Sequence, residues 1–276
     1  SKEELKPAIQ FLENWGLKAV LGKTIGAEEN QFAGNDEMRT ADFQTMLDDP
    51  NVKAIWCARG GYGTVRIIDN LDFSAFKKKP KWIIGYSDMT VLHSHIHNLN
   101  IETLHAQIFL GIEKKSKEAA ESIKKILFGE NYSLEFKCTN DQATVGNYSG
   151  QLIGGNLSVL YSLCGSNSAM HTDGKILFIE DLDEYLYHID RMMMNLKRNG
   201  MFKNLKALLV GGMTAMHDNE IPFGKTTDEI ILDAVKEYNF PVIFNCPAGH
   251  IEDNRALIMG RKVNLEITKT NLGLKF

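Results

Sequence analysis

Trp82-Ile83-Ile84-Gly85-Tyr86-Ser87-Asp88-Met89-Thr90 is the stretch on which the reading of this chain turns. Residues 82–85 are an apolar run closed by a glycine, as in a strand covered on both faces. A serine follows at once, and residues 89–99 have the apolar spacing of a helix. Strand, serine, helix is the geometry of a nucleophile elbow, whose sharp turn lifts the hydroxyl clear of the sheet edge. The helix behind it aims its N-terminal amides and the positive end of its dipole at developing negative charge. The backbone N–H of Asp88 is then one candidate oxyanion donor. The pattern G-x-S-x-G of α/β-hydrolases is not met, because Met89 stands where its second glycine belongs. This is an elbow of another kind, or a serine that merely caps its helix.

The same alternation continues outward from the elbow. Ser1 and Glu4 have capping-box spacing ahead of Ile9, Phe11, Leu12 and Trp15, so the chain opens on a helix that Gly16 ends. Residues 17–21 read as a strand. Residues 35–48 read as a helix with Met38, Phe43, Met46 and Leu47 inward, and residues 52–58 as a buried strand. A glycine turn at Gly60, Gly61 and Gly63 leads into a short helix through Val65, Ile67 and Ile68. The front half is therefore α/β with a largely parallel sheet. Residues 131–149 are polar, with short alternating pieces, and mark a linker or boundary between a domain at 1–130 and another at 131–276. In the second part, strands are expected at 176–179, 207–210 and 242–244, helices at 185–197 and 227–238, and a β tail at 256–267. There is no internal repeat.

Composition narrows the function classes. The chain has 276 residues, 31 Lys+Arg against 35 Asp+Glu, and a net charge of −4. Hydrophobic residues make up 43 % and charged residues 24 %, which are globular values and exclude disorder. No run approaches the ~20 apolar residues of a membrane span. Basic clusters such as Lys77-Lys78-Lys79 are too short for a nucleic-acid face. Four cysteines (Cys57, Cys138, Cys164, Cys246) form no C-x-x-C pair and lie in or beside apolar runs. They read as reduced thiols in a cytoplasmic setting, without a metal.

Three further segments could complete a site. Arg59-Gly60-Gly61-Tyr62-Gly63 follows a buried strand, and glycines there let backbone approach a ligand. It fails as a dinucleotide fingerprint, because Arg66 occupies the third glycine position. It is a second oxyanion donor or a tight structural turn. Glu180 ends an apolar strand, where α/β sheets place ligand crevices, and can orient a histidine or cap the next helix. His250, in Asn245-Cys246-Pro247-Ala248-Gly249-His250, lies on a loop past a strand as a general base requires, or is a surface histidine. Other features are decoys. His93, His95 and His97 alternate along a helix with no clustered carboxylate. Gly224-Lys225-Thr226 lacks the earlier glycine of a P-loop. Met192-Met193-Met194 reads as helix packing.

Taken in order, Arg59-Gly60-Gly61-Tyr62-Gly63, Gly85-Tyr86-Ser87-Asp88, Gly154-Gly155-Asn156-Leu157, Glu180-Asp181 with Ile189-Asp190-Arg191, and Gly249-His250 resemble the LD-carboxypeptidase family of serine peptidases. That family includes muramoyl-tetrapeptide carboxypeptidases and microcin C immunity proteins. The resemblance implies a Ser87, Glu180, His250 triad and an oxyanion hole from the N–H groups of Asp88 and the Gly60-Gly61 turn. It implies a parallel-sheet, Rossmann- or flavodoxin-like N-terminal domain and a smaller, β-rich C-terminal domain. It also implies a homodimer with no metal or organic cofactor, releasing D-alanine from murein tetrapeptide in cell-wall recycling. Family members begin with a strand ahead of the first helix, so such a strand is expected before Ser1. Two other readings stay open: an immunity-type peptidase acting on an acylated aminonucleotide, and a two-domain small-molecule binding module.

Overall fold

The alternation of strand and helix becomes two sheets in the computed structural model, which describes residues 1–137 and 144–276. The strands are β1 (Ala54–Trp56), β2 (Trp82–Gly85), β3 (Thr103–His105), β4 (Ser133–Lys137), β5 (Gly146–Asn156), β6 (Ile176–Leu182), β7 (Ala207–Thr214), β8 (Val242–Ile243), β9 (Leu257–Met259), β10 (Lys262–Ile267) and β11 (Asn271–Lys275). The helices are α1 (Lys6–Glu13), α2 (Asp36–Asp48), α3 (Thr64–Ile67), α4 (Ser74–Lys78), α5 (Thr90–His97), α6 (Lys117–Leu127), α7 (Leu157–Leu163), α8 (Leu186–Arg198) and α9 (Thr227–Val235). The first sheet runs β1-β2-β3-β9, its first three strands parallel and β9 an antiparallel edge. The second runs β4-β11-β10-β5-β6-β7-β8, with β5 to β8 parallel and the other side antiparallel. The chain is thus α/β with a parallel sheet and a second, mixed one, and β9 returns from the far end of the chain to close the first.

Apolar runs form the inner strands because both of their faces are covered. Ile83 of β2 packs with Phe76, Leu92 and Ile96, while Ile84 turns to Leu104, Ile123 and Ile258. In β6, Leu177 and Ile179 meet Leu160, Ile189 and Met193 on the helical side. Ile176 and Phe178 meet Val263 and Leu265 on the other. The helices start where side chains satisfy their free amides. Asn35 accepts from Met38 N–H ahead of α2, and Thr226 and Glu229 make a reciprocal capping box for α9. The Gly-Lys-Thr sequence therefore serves as a helix start.

Some local expectations change. Residues 17–21 pair with no strand among the described residues, although Leu17, Ala19 and Leu21 pack against the first sheet's core. Alternating burial needs only one covered face, whereas a strand also needs a backbone partner. Ser1 and Glu4 do interact, but α1 starts at Lys6 with Pro7 in its first turn and no side-chain cap. Met38 is exposed rather than inward, because it lies in the first turn of α2 with its sulfur over Gly34. Of the three consecutive methionines, Met192 and Met193 are buried and Met194 is exposed.

The histidines of α5 pair with neighbouring groups of the fold, His93 with two strands of the first sheet. His93 is buried, and Gly85 C=O can only accept, so Nε2–H donates to it at 2.9 Å while Nδ1 accepts from Thr103 Oγ1 at 2.8 Å. His95 Nδ1 pairs with Ser168 Oγ at 3.0 Å, and His97 Nε2 accepts from Lys175 Nζ at 2.6 Å. Burial lowers His93 from 6.5 to about 4, and burial with the Lys175 charge does the same to His97. An unfolded chain takes up these protons near 6.5, so between 6.5 and about 4 the unfolded state binds more of them. Stability is therefore expected to fall as pH drops through that window. Urea unfolding at several pH values tests this, and His93→Gln should flatten the dependence.

Candidate active site

β2 ends at Gly85, Tyr86 is extended, and Ser87 takes φ +64° before one tight turn leads into α5. A positive φ at a non-glycine residue is uncommon and marks a turn held by its surroundings. Here the hold is visible. The Asp88 carboxylate is buried and accepts from Thr64 N–H at 2.8 Å and Thr64 Oγ1 at 2.6 Å, tying the elbow to the helix that follows the glycine turn. Sequence reasoning valued Asp88 for its amide and missed what its side chain fastens. Gly60 lies against the serine: a Cβ there would stand 3.2 Å from Ser87 Cβ and 3.4 Å from Ser87 Oγ. Among the described residues, no protein acceptor takes the backbone N–H of Gly60, Gly61 or Asp88.

Glu180 lies in β6 and is fully buried. One of its oxygens, Oε2, faces His250 Nδ1 at 2.6 Å and accepts from the His250 backbone N–H at 3.0 Å. A bulge makes room for the histidine. Ile179 pairs with Val210 but Asp181 with Met213, so Gly211 and Gly212 oppose Glu180 alone. Gly212 N–H then donates to Ala248 C=O at 3.0 Å. Asn254 Oδ1 accepts from Gly249 N–H at 2.9 Å, and Thr214 Oγ1 donates to His250 C=O at 3.1 Å. Gly249 has φ +104°, and a Cβ on it would meet Glu180 Cβ and Oε2 at 2.7 Å. Gly249→Ala should therefore lower kcat/KM roughly 100-fold by displacing the pair, and destabilise the fold by about 1–3 kcal/mol. Steady-state kinetics beside a thermal melt would read both effects.

The elbow and the Glu180–His250 pair meet at Tyr86, whose ring centroid is 4.7 Å from that of His250. Burial first, then the Glu180 charge, raises the Tyr86 hydroxyl above its ordinary range. No direct hydrogen bond joins Ser87 Oγ to the imidazole among the described residues. The fold thus puts Glu180 on His250 and Gly60 on Ser87, and sets the two groups side by side through the residue next to the serine. Asn156, Asp181, Asn254 and Thr64 were not picked out for their side chains, since buried Asn, Asp and Thr have no local signature.

No group of three His, Cys, Asp or Glu suited to a metal ion occurs among the described residues. Cys57, Cys164 and Cys246 are free thiols, and burial pushes Cys57 and Cys246 up to about 12, far from a thiolate nucleophile. Cys138 lies outside the described residues. No described helix is long and apolar enough to cross a membrane.

Residues 1–106 match the LD-carboxypeptidase N-terminal domain, and residues 149–265 match the LD-carboxypeptidase C-terminal domain. The chain belongs to the LD-carboxypeptidase family. A relative described as a probable murein peptide carboxypeptidase of Bacillus subtilis is 35% identical over 94% of this chain and 83% of its own. The microcin C7 self-immunity protein of Escherichia coli is 24% identical over 99% of this chain and 88% of its own. Among solved structures, the muramoyltetrapeptide carboxypeptidase of Oxalobacter formigenes superposes with a TM-score of 0.88 at 25% identity, covering 100% of this chain and 96% of that one. As a member of this family the chain is a carboxypeptidase of the serine class.

Proposed function

We propose that this chain is a serine LD-carboxypeptidase that hydrolyses the bond before a C-terminal D-residue and releases D-alanine from a murein tetrapeptide in cell-wall recycling. The observation that carries the reading is the buried Glu180–His250 contact of 2.6 Å beside a serine held at φ +64°. Ser87 is the nucleophile. With Nδ1 engaged by Glu180, His250 has Nε2 left to take the serine proton. Ser87 Oγ then attacks the carbonyl carbon, and the oxyanion rests on the N–H groups of Asp88 and the Gly60-Gly61 turn. His250 returns the proton to the leaving amine as the C–N bond breaks, and water releases the acyl group by the same steps. Each oxyanion donor contributes about 3 kcal/mol to such a transition state. The mechanism asks for no metal or organic cofactor.

In this reading residues 1–130 supply the nucleophile and residues 131–276 the acid and base. The protein works in the cytoplasm as a homodimer. The similarity to the microcin C7 self-immunity protein supports a second reading, cleavage of an acylated aminonucleotide. Both substrates should be offered side by side, with an all-L tetrapeptide as control. D-alanine release from the L,D-tetrapeptide alone supports the first reading; no release from it ends that reading.

A further inference from the structure

Asp181 follows Glu180 in β6 and is 1% exposed, yet no cation pairs with it among the described residues. A buried carboxylate without a counter-ion is costly and persists only where hydrogen bonds hold it. Its Oδ1 accepts from Asn156 Nδ2 at 2.8 Å and from Leu182 N–H at 2.9 Å, and its Oδ2 accepts from Ser158 N–H at 2.8 Å. Asn156 also reaches the other way. Its backbone N–H donates to Thr90 Oγ1 at 2.9 Å, and Thr90 opens α5 three residues after Ser87. Within the second sheet, Asn156 of β5 is the register partner of Glu180 itself. Buried contacts therefore run from the elbow through Thr90, Asn156 and Asp181 to Glu180 and His250. Beside the Tyr86 ring, this is a second line of contact between the Ser87 elbow and the Glu180–His250 pair.

We infer that Asp181 is a positioning residue of the site: through Asn156 and Thr90 it keeps the Glu180–His250 pair aligned with the Ser87 elbow, and its negative charge favours the protonated imidazole formed during the reaction. The inference rests on the serine-peptidase reading given above. Two other titratable groups face the pair: Tyr86, from the elbow, and His105, at the end of β3. Burial raises the Tyr86 hydroxyl and holds His105 well below its ordinary value, so both stay neutral near pH 7. Asp181 is different. Burial raises it to about 6, with the Asn156 bond opposing and the Glu180 charge reinforcing.

Asp181→Asn tests this with almost no change of volume. The carboxamide keeps an acceptor for Asn156 but presents an N–H₂ group or loses a bond at Ser158, and it carries no charge. A kcat loss of roughly 100-fold with KM held within about twofold is expected. The acid limb of kcat/KM should also lose the step near 6 that Asp181 contributes, so relative activity at pH 5.5 falls less than in the parent. A kcat within a few-fold of the parent, or an unchanged acid limb, overturns the inference. Should the variant fail to fold, Thr90→Val and Thr90→Ser decide the matter. The valine should reproduce the kcat loss and the serine, which keeps the hydroxyl, should not; equal behaviour of the two overturns it. Ser87→Ala separates the layers: full activity there defeats the serine-peptidase reading, whereas an inactive Ser87→Ala beside a normal Asp181→Asn defeats only the role of Asp181.

Discussion

Ser87→Ala is expected to abolish D-alanine release from an L,D-tetrapeptide while leaving the fold as it was. Loss of the nucleophile from a serine–histidine–acid site costs on the order of 10⁶-fold in kcat. The residual rate, from substrate binding and the oxyanion amides, would stand above that of water. Little structural change is expected, since Ser87 Oγ donates no hydrogen bond among the described residues and the elbow is held by Asp88, Thr64 and His93. Alanine at φ +64° bears about the same backbone strain as serine. Amino-acid analysis of the released product, beside a thermal melt, measures both. Release at the parental rate from a folded variant would remove Ser87 from the mechanism.

Glu180→Gln should cost nearly as much, for a reason visible in the hydrogen bonds. Both the His250 backbone N–H and Nδ1 converge on Oε2, at 3.0 and 2.6 Å. The other oxygen, Oε1, is buried and has no partner among the described residues. An amide nitrogen in place of Oε2 would oppose two donors and force the imidazole into the wrong tautomer. An amide nitrogen in place of Oε1 would be a donor buried without an acceptor, at a cost of about 1–3 kcal/mol of stability. In either orientation the charge that stabilises the imidazolium is gone. A fall in kcat of roughly 10³- to 10⁴-fold is expected, with a lower urea midpoint. A variant within about tenfold of the parent kcat would show that Glu180 does not serve His250 in the reaction.

Much of the architecture is legible in one dimension. The apolar run at 82–85 becomes β2 with the same bounds, and the run at 176–179 becomes the first part of β6, because strands covered on both faces admit little but apolar side chains. Helix starts at Asn35 and Thr226 follow from side chains that satisfy free amides nearby in sequence. Residues 17–21 show the limit of this reasoning. Their alternation is real, but whether a backbone pairs there depends on what lies alongside. The inward assignment of Met38 went astray for the same reason, since a helix face is apolar by sequence but buried only by its neighbours.

The amino-acid sequence alone therefore determined the order of strands and helices, the serine at a strand–helix junction, the glycine turn near it, the glutamate at the end of an apolar run and the histidine past its strand. These features are local, set by apolar periodicity, by turn chemistry and by the few residues that tolerate a sharp bend. Tertiary structure alone decided which groups meet. Glu180 and His250 are 70 residues apart in the chain, and their contact depends on a bulge at Gly211-Gly212 that periodicity does not register. The join of Thr90, Asn156 and Asp181 runs from α5 to two strands of the second sheet and is built from short polar side chains whose partners are distant in sequence. Long-range contacts of this kind follow from the packing of whole layers, in which each residue's neighbours are set by the register of strands far from it.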